Sequence, residues 1–323
     1  MPHICVVVNH RNSPFYDQDP HAREQSSVTA GAVCDALGEL GHKITVVEVG
    51  PSLLGRLSEV NPDAVFNLAT GYRSKKDQAN IAAMLEMASY PFTGSGARSH
   101  LLGLHKHLTK AVMGIYGIST PRFRVIEDAQ ALESQVLSDL TYPVIVKPAA
   151  EGSSLGISEK SVAADADRAT EQVRLIASSY GPPVLVEEYI GGREFTVGIV
   201  GYPEPQALPV EEIVFKKGGM YTYDVKSRDA VIPVCPAEIP PEIAMEIQDL
   251  AVRTFRAVGC TDVGRVDIRV SPEGKPYVLE INTLPGLMPG YSELPRMAEK
   301  CGMPFRSLVE RVLEGALRRR DAS

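Results

Sequence analysis

The segment GRVDIRVSPEGKPYVLEIN, residues 264–282, is two runs of alternating apolar and charged residues that meet at Ser271-Pro272-Glu273-Gly274. Proline in the second place and glycine in the fourth suit a type I turn, so the runs fold back on each other as an antiparallel hairpin. Pairing Ser271 with Gly274 sets Ile268 opposite Tyr277, Val266 opposite Leu279 and Arg265 opposite Glu280. One face then carries Val266, Ile268, Val270, Tyr277, Leu279 and Ile281, and the other carries Arg265, Asp267, Glu280 and Asn282. A slip of one residue sets apolar groups opposite charges, so the pattern resists other registers. The polar face is a convergence of hard oxygen ligands of the kind Mg²⁺ takes when it also binds phosphate oxygens, with Arg265 beside them for a developing oxyanion. Taken alone, such a face reads more readily as a solvated ladder of ion pairs, and three further segments overturn that reading.

The first is VIVKPAAEGSSLGIS, where a strand ends in Lys147 and a loop of small residues follows, with Gly152, Ser153, Ser154 and Gly156. Small residues let backbone N–H groups approach phosphate oxygens, and the lysine adds a point charge. The G-x-x-x-x-G-K-[ST] loop of the common nucleotide triphosphatases is absent. The second is VLVEEYIGGREFTVGIV, where Glu187 closes one strand and Glu194 opens the next, placed to hold ribose hydroxyls. The third is INTLPGLMPGYS, whose glycines and prolines hold backbone donors beside the hairpin.

Upstream, ICVVV (4–8), KITVVEV (43–49) and DAVFNL (63–68) alternate with a helical stretch at 24–41, the pattern of a parallel α/β sheet. Turn-rich YPFTGSGARS (90–99) leads out of it into one helix running through Lys106 and Lys110 toward Gly117. Strands at 143–147 and 183–189 flank a helix near 164–179, and further helices are expected at 240–258 and 304–319. This divides the chain into an N-terminal α/β substrate domain (1–97), a small central α+β domain (98–187) and a C-terminal α+β domain with the metal site (188–323). The basic residues Arg318, Arg319 and Arg320 read as a helix end favoured by the dipole.

The net charge of −7 argues against a nucleic-acid surface. The five cysteines are scattered, with no C-x-x-C pair, so neither a disulfide framework nor a zinc site is expected and a reducing cytoplasm fits. No run reaches the length of a signal-peptide core or a membrane span.

From about residue 22 to the C-terminus the chain resembles the D-alanine–D-alanine ligase branch of the ATP-grasp superfamily. The motifs are K-P-x-x-E-G-S-S-x-G (Lys147 to Gly156), E-F-T-V (Glu194 to Val197), G-R-[IV]-D (Gly264 to Asp267), L-E-x-N-T-x-P-G (Leu279 to Gly286), R-E-x-S (Arg23, Glu24, Gln25, Ser26) and P-[FY]-T-G-S-G (Pro91 to Gly96). The resemblance implies an ATP-grasp fold behind a parallel α/β (pre-ATP-grasp) domain. It implies that Lys106 and Lys147 contact ATP phosphates with Ser154 in the phosphate loop, that Glu187, Tyr189 and Ile190 line the adenine site, and that Glu194 holds the ribose. Lys226 is expected to reach the γ-phosphate, and Asp267, Glu280 and Asn282 to ligate two Mg²⁺ ions. Arg265 and the Gly286 N–H are expected at the oxyanion, and Ser153 between loop and substrate. The reaction implied joins a small carboxylate to an amino-acid-like amine through an acyl phosphate, and a homodimer is implied with it.

The departures from that pattern lie in the substrate pocket, around Arg23 and Glu24. The glutamate expected just before R-E-x-S is Ala22, the histidine expected in the H-G-x-x-G-E-D-G loop is Thr70, and the tyrosine expected after Lys226 is Ser227. The serine expected near the second substrate is Ser292 if one residue is inserted and Tyr291 if none is. A pocket that has lost the carboxylate pairing a buried ammonium leaves that charge uncompensated, at a cost of roughly 3 kcal/mol or more. The expectation is intact ATP machinery with a specificity changed from D-alanine; an authentic D-alanine–D-alanine ligase is the alternative.

Overall fold

The apolar runs near the N-terminus become parallel strands, of which the first and third are buried on both faces and the second, at the sheet edge, is partly exposed. β1 (His3–Val8), β2 (Lys43–Glu48) and β3 (Ala64–Asn67) form a parallel sheet in the order β2-β1-β3. Ile4, Val6 and Phe66 pack with Val33 and Leu37 of α1 (Pro20–Glu39). Their neighbours Cys5, Val7 and Val65 face the other way, onto Leu53 and Leu57 of α2 (Leu53–Val60) and Ile81 and Leu85 of α3 (Asp77–Met87). Successive side chains on a strand leave on opposite faces, so only a continuous apolar run fills both cores. In this computed structural model residues 1–14, 16, 20–150, 161–215 and 231–321 are described.

The single helix expected through Lys106 and Lys110 is two, α4 (Ala97–Leu104) and α5 (Lys106–Ile115), because the backbone leaves helical geometry at His105 (φ −91°, ψ 87°). Lys106 therefore opens a helix. Next comes an antiparallel sheet of β4 (Phe123–Ile126), β5 (Val144–Pro148), β6 (Val162–Ala163) and β7 (Val184–Glu188), in the order β4-β7-β5-β6. Its apolar face packs Val144, Val146, Val184 and Val186 on Val173 and Ile176 of α6 (Ala166–Tyr180), whose first turn Asp165 caps by accepting the Arg168 N–H.

The second antiparallel sheet runs β11-β10-β8-β12-β13, with β9 (Gln206–Ala207) on β8. Its strands are β8 (Arg193–Val200), β10 (Glu211–Phe215), β11 (Val231–Val234), β12 (Val263–Val270) and β13 (Pro276–Asn282). Phe195, Val197, Val266 and Ile268 bury against Ile247, Leu250 and Phe255 of α7 (Pro241–Val258), which leaves Glu194, Thr196, Arg265 and Asp267 for the opposite face. α8 (Glu293–Lys300) follows, and α9 (Phe305–Asp321) returns to the first sheet, setting Leu308, Val309 and Val312 in one core with Ile4, Val6 and Phe66.

The hairpin forms, but in a different register. Arg265 lies opposite Asn282, Val266 opposite Ile281 and Asp267 opposite Glu280, and beyond an irregularity Ile268 lies opposite Val278. Leu279 is the extra residue of a bulge in β13, so Val278 and Ile281 are buried while Tyr277 and Leu279 leave the apolar face. The turn is also longer, with the Ser271 N–H donating to the Lys275 carbonyl. The polar set survives because the bulge adds its residue before Glu280.

The basic C-terminal helix end does more than face solvent. Arg319 donates to both carboxylate oxygens of fully buried Asp262 (2.7 and 2.6 Å) and to the Phe92 carbonyl (2.7 Å), and the Gly94 N–H donates to the same carboxylate (2.8 Å). Among the described residues no helix is long and apolar enough to cross a membrane, and all five cysteines are free thiols.

Candidate active site

Charged side chains at the ends of β5, β7 and α5 meet the polar face of the hairpin. Lys110, one helical turn after Lys106 and fully buried, lies 2.9 Å from Glu187, which also accepts from Lys147. Lys110 donates to Thr120 Oγ1 (2.6 Å), and Thr120 in turn donates to the Val278 carbonyl (2.8 Å), tying the cluster to the hairpin backbone. Burial pushes the Lys110 ammonium down to about 8, against the pull of Glu187. Burial raises the Glu187 carboxyl too, but Lys110 and Lys147 outweigh it and hold that group below its usual range. Two ammonium groups thus share one carboxylate. An excess of buried positive charge is what a polyphosphate needs to leave water.

Lys106 reaches across to the hairpin, 3.2 Å from Glu280. Burial raises the Glu280 carboxyl, but Lys106, Lys147 and Arg265 together hold it down at about 2. Opposite it in the ladder, Asp267 accepts from Thr196 Oγ1 (2.6 Å), Asn282 Nδ2 (3.0 Å) and Arg265 through both Nε and Nη2 (3.1 Å each). No group of three His, Cys, Asp or Glu that holds a metal occurs among the described residues; this set is two carboxylates and an amide. Such a set fits Mg²⁺, which keeps several waters or phosphate oxygens and takes only one or two carboxylates from a protein.

Beyond the hairpin, Arg269 donates to Glu194 (3.1 Å) and to the Ile190 carbonyl (2.8 Å) while its guanidinium lies 4.8 Å from the centre of the Tyr189 ring. Tyr189, Ile190 and Glu194 are thereby gathered at the β7–β8 turn. Burial lifts the Glu194 carboxyl to about 7, in spite of Arg269. On the far side, Ser292 Oγ accepts the Met288 N–H (3.1 Å) and lies close enough to Gly286 that a Cβ there would stand 2.7 Å from it. Only glycine lets the backbone pass. Ser292 is buried, whereas Tyr291 is exposed and offers its carbonyl to Arg296 (3.2 Å).

At the carboxyl edge of the parallel sheet, where ligands of open α/β sheets bind, Asn9 Nδ2 donates to Thr70 Oγ1 (2.9 Å). The Thr70 and Gly71 N–H groups donate back to Asn9 Oδ1 (2.9 and 3.2 Å). Ala22 is half-buried, Glu24 is exposed, and the exposed Arg23 lies over the Tyr16 ring at 5.3 Å. Ser153, Ser154, Lys226 and Ser227 lie outside the described residues.

Four side chains of this site went unread in the sequence. Arg269 follows Arg265 and Asp267 at the strand period of two, so strict alternation already puts it on their face. Lys110 is four residues after Lys106, the helical neighbour. Thr196 and Glu293 carry no such signal, since their roles come from pairings between strands and helices distant in sequence.

Two antiparallel sheets whose charged ends converge in this way, behind a parallel α/β domain, define the ATP-grasp class of ligases. A family model described as D-ala D-ala ligase C-terminus matches residues 112–314. A D-alanine–D-alanine ligase from Gloeobacter violaceus is 38% identical over 310 residues, covering 93% of this chain and 97% of its own. The crystal structure of D-alanine–D-alanine ligase from Bacillus anthracis complexed with ATP superposes with a TM-score of 0.80 at 22% identity, covering 100% of this chain and 99% of that one. The VanG D-Ala:D-Ser ligase from Enterococcus faecalis superposes at 0.78 and 22% identity, covering 97% and 99%. The chain belongs to the D-alanine–D-alanine ligase family, and is an ATP-dependent carbon–nitrogen ligase of the ADP-forming kind.

Proposed function

We propose that this ligase activates an amino-acid-like carboxylate with ATP and joins it to an amine, with a first-substrate pocket altered from that for D-alanine. The observation that carries the alteration is the Asn9–Thr70 pair: a neutral amide and hydroxyl, satisfied by one another, stand where a histidine is expected, and Ala22 stands where an ammonium-binding glutamate is expected.

In this reading residues 98–187 and 188–323 hold the nucleotide between them and residues 1–97 supply the first-substrate pocket. Tyr189, Ile190 and Glu194 take the nucleoside, Lys106 and Lys147 the phosphates, and Asp267, Glu280 and Asn282 would hold Mg²⁺. When bound there, the metal would supply charge neutralisation on the transferring phosphoryl group. The substrate carboxylate oxygen bonds to the γ-phosphorus as the bond to ADP breaks, giving an acyl phosphate. The amine then adds to the carbonyl carbon, Arg265 and the Gly286 N–H take the oxyanion, and collapse expels inorganic phosphate as the nitrogen loses its proton.

An authentic D-alanine–D-alanine ligase is the second reading, favoured by the names of relatives at 34–38% identity over nine-tenths of the chain. Phosphate release with ATP and Mg²⁺ across a panel of amino acids and amines separates the two. Turnover of D-alanine alone that outruns every other pair establishes the second reading and ends the first.

A further inference from the structure

Among the described residues, Arg265 is held from two sides. Its Nε and Nη2 grip Asp267 on its own strand, and its Nη1 donates to Glu293 at 2.9 Å, a residue brought from the first turn of α8. The two carboxylates are not equivalent, because Asp267 also belongs to the metal set and Glu293 does not. A cation on Asp267 draws its oxygens and repels the guanidinium beside it.

We propose that Glu293 is a positioning residue for the ligation step, holding the Arg265 guanidinium at the acyl centre when Asp267 serves the metal. This rests on the reading of Arg265 as the oxyanion-stabilising residue.

The scaffold around Glu293 is built to deliver it. Ser292, the residue before the helix, closes the preceding loop by donating its N–H to the Met288 carbonyl (2.9 Å) and accepting the Met288 N–H at its hydroxyl oxygen (3.1 Å). Arg296, three residues on and the natural helical partner for Glu293, is engaged instead by fully buried Glu211 through two bonds of 2.7 and 2.9 Å. Gly198 on β8 lets the helix lie close, since a Cβ there would stand 2.4 Å from Leu294 Cδ1. A first-turn acid also favours the helix dipole, but that role is met by any exposed carboxylate and does not account for the bond to Arg265.

The test uses the full chain with Glu293→Ala and Glu293→Asp, followed in two ways. With D-alanine as probe, Glu293→Ala lowers kcat by about 10²-fold, the cost of misplacing a catalytic group by an ångström, while KM for ATP holds. Glu293→Asp keeps the melting temperature, because it still serves the helix end, but loses kcat because its reach is shorter. Independently of turnover, the Arg265 Nε–H resonance, assigned by its loss in Arg265→Lys, stays sharp in the wild type on adding Mg²⁺ and a non-hydrolysable ATP analogue. In Glu293→Ala it shifts or broadens. A resonance indifferent to Glu293 overturns the inference whether or not D-alanine is a substrate, and so does wild-type kcat in Glu293→Ala. A wild type that ignores D-alanine but shows the spectral dependence leaves this inference standing and counts only against the second functional reading.

Discussion

Arg269 and Glu194 form the buried ion pair that closes the β7–β8 end of the site, 3.1 Å apart with both side chains nearly withdrawn from water. Arg269 also holds the Ile190 carbonyl and covers the Tyr189 ring, so one guanidinium shapes the surface on which a base and ribose would lie. Removing it strands a buried carboxylate, and Arg269→Ala is expected to cost about 3–5 kcal/mol of stability in denaturant melts. Arg269→Lys is expected not to restore ATP affinity measured by calorimetry, because a compact ammonium has no planar fork to lie on the Tyr189 ring while spanning Glu194 and the Ile190 carbonyl.

Thr196 is the one neutral side chain on β8 that bonds Asp267. Thr196→Val keeps the shape of the side chain and deletes that donor. Groups behind a metal ligand typically set 10–100-fold in affinity, so Mn²⁺ binding in the presence of ATP, followed by electron paramagnetic resonance, weakens by about tenfold. Asp267→Asn abolishes that binding. Unchanged titrations in both would remove the hairpin from the metal site.

His100 accounts for a defined part of the acid sensitivity. It is buried, with Nδ1 bonded to Thr283 Oγ1 (2.7 Å) and Gln78 Nε2 (2.8 Å), and burial lowers its pKa from 6.5 to about 4. Below pH 6.5 the unfolded chain binds a proton here that the folded chain refuses, so stability is full above 6.5 and falls as pH drops toward about 4. The loss amounts to about 3 kcal/mol, and it disappears in His100→Gln when urea melts are compared across that range.

The Arg319–Asp262 pair predicts an asymmetric response. Arg319→Ala leaves the carboxylate buried and is expected to destabilise by about 3–5 kcal/mol, whereas Arg319→Ala combined with Asp262→Asn recovers part of that loss. Thermal melts of the single and double variants read the difference directly.

Much of this arrangement was legible in the sequence, for identifiable reasons. The run 4–8 is apolar throughout, as a central strand buried on both faces requires, and with the apolar-rich runs 43–49 and 63–68 spaced around a helical stretch it announces a parallel sheet. The members of the hairpin's polar face were legible, but their partners were not: Leu279 is extruded in a bulge, and alternation alone does not show where a strand gains a residue. The buried state of Lys110 was hidden because a lysine reads as solvated until its carboxylate partner, Glu187, arrives from another strand. Arg319 was hidden likewise, since a run of arginines at a helix end looks complete without Asp262.

The return of α9 to the first sheet also has a consequence for biosynthesis. Ile4, Val6 and Phe66 leave the ribosome well before the helix carrying Leu308, Val309 and Val312 that joins their core. The first sheet therefore waits, partly uncovered, while the intervening residues are translated, and its core closes only once α9 has been made. A stop codon or a proteolytic nick ahead of Phe305 would leave that early-made surface without its cover, an aggregation-prone product rather than merely a shortened enzyme.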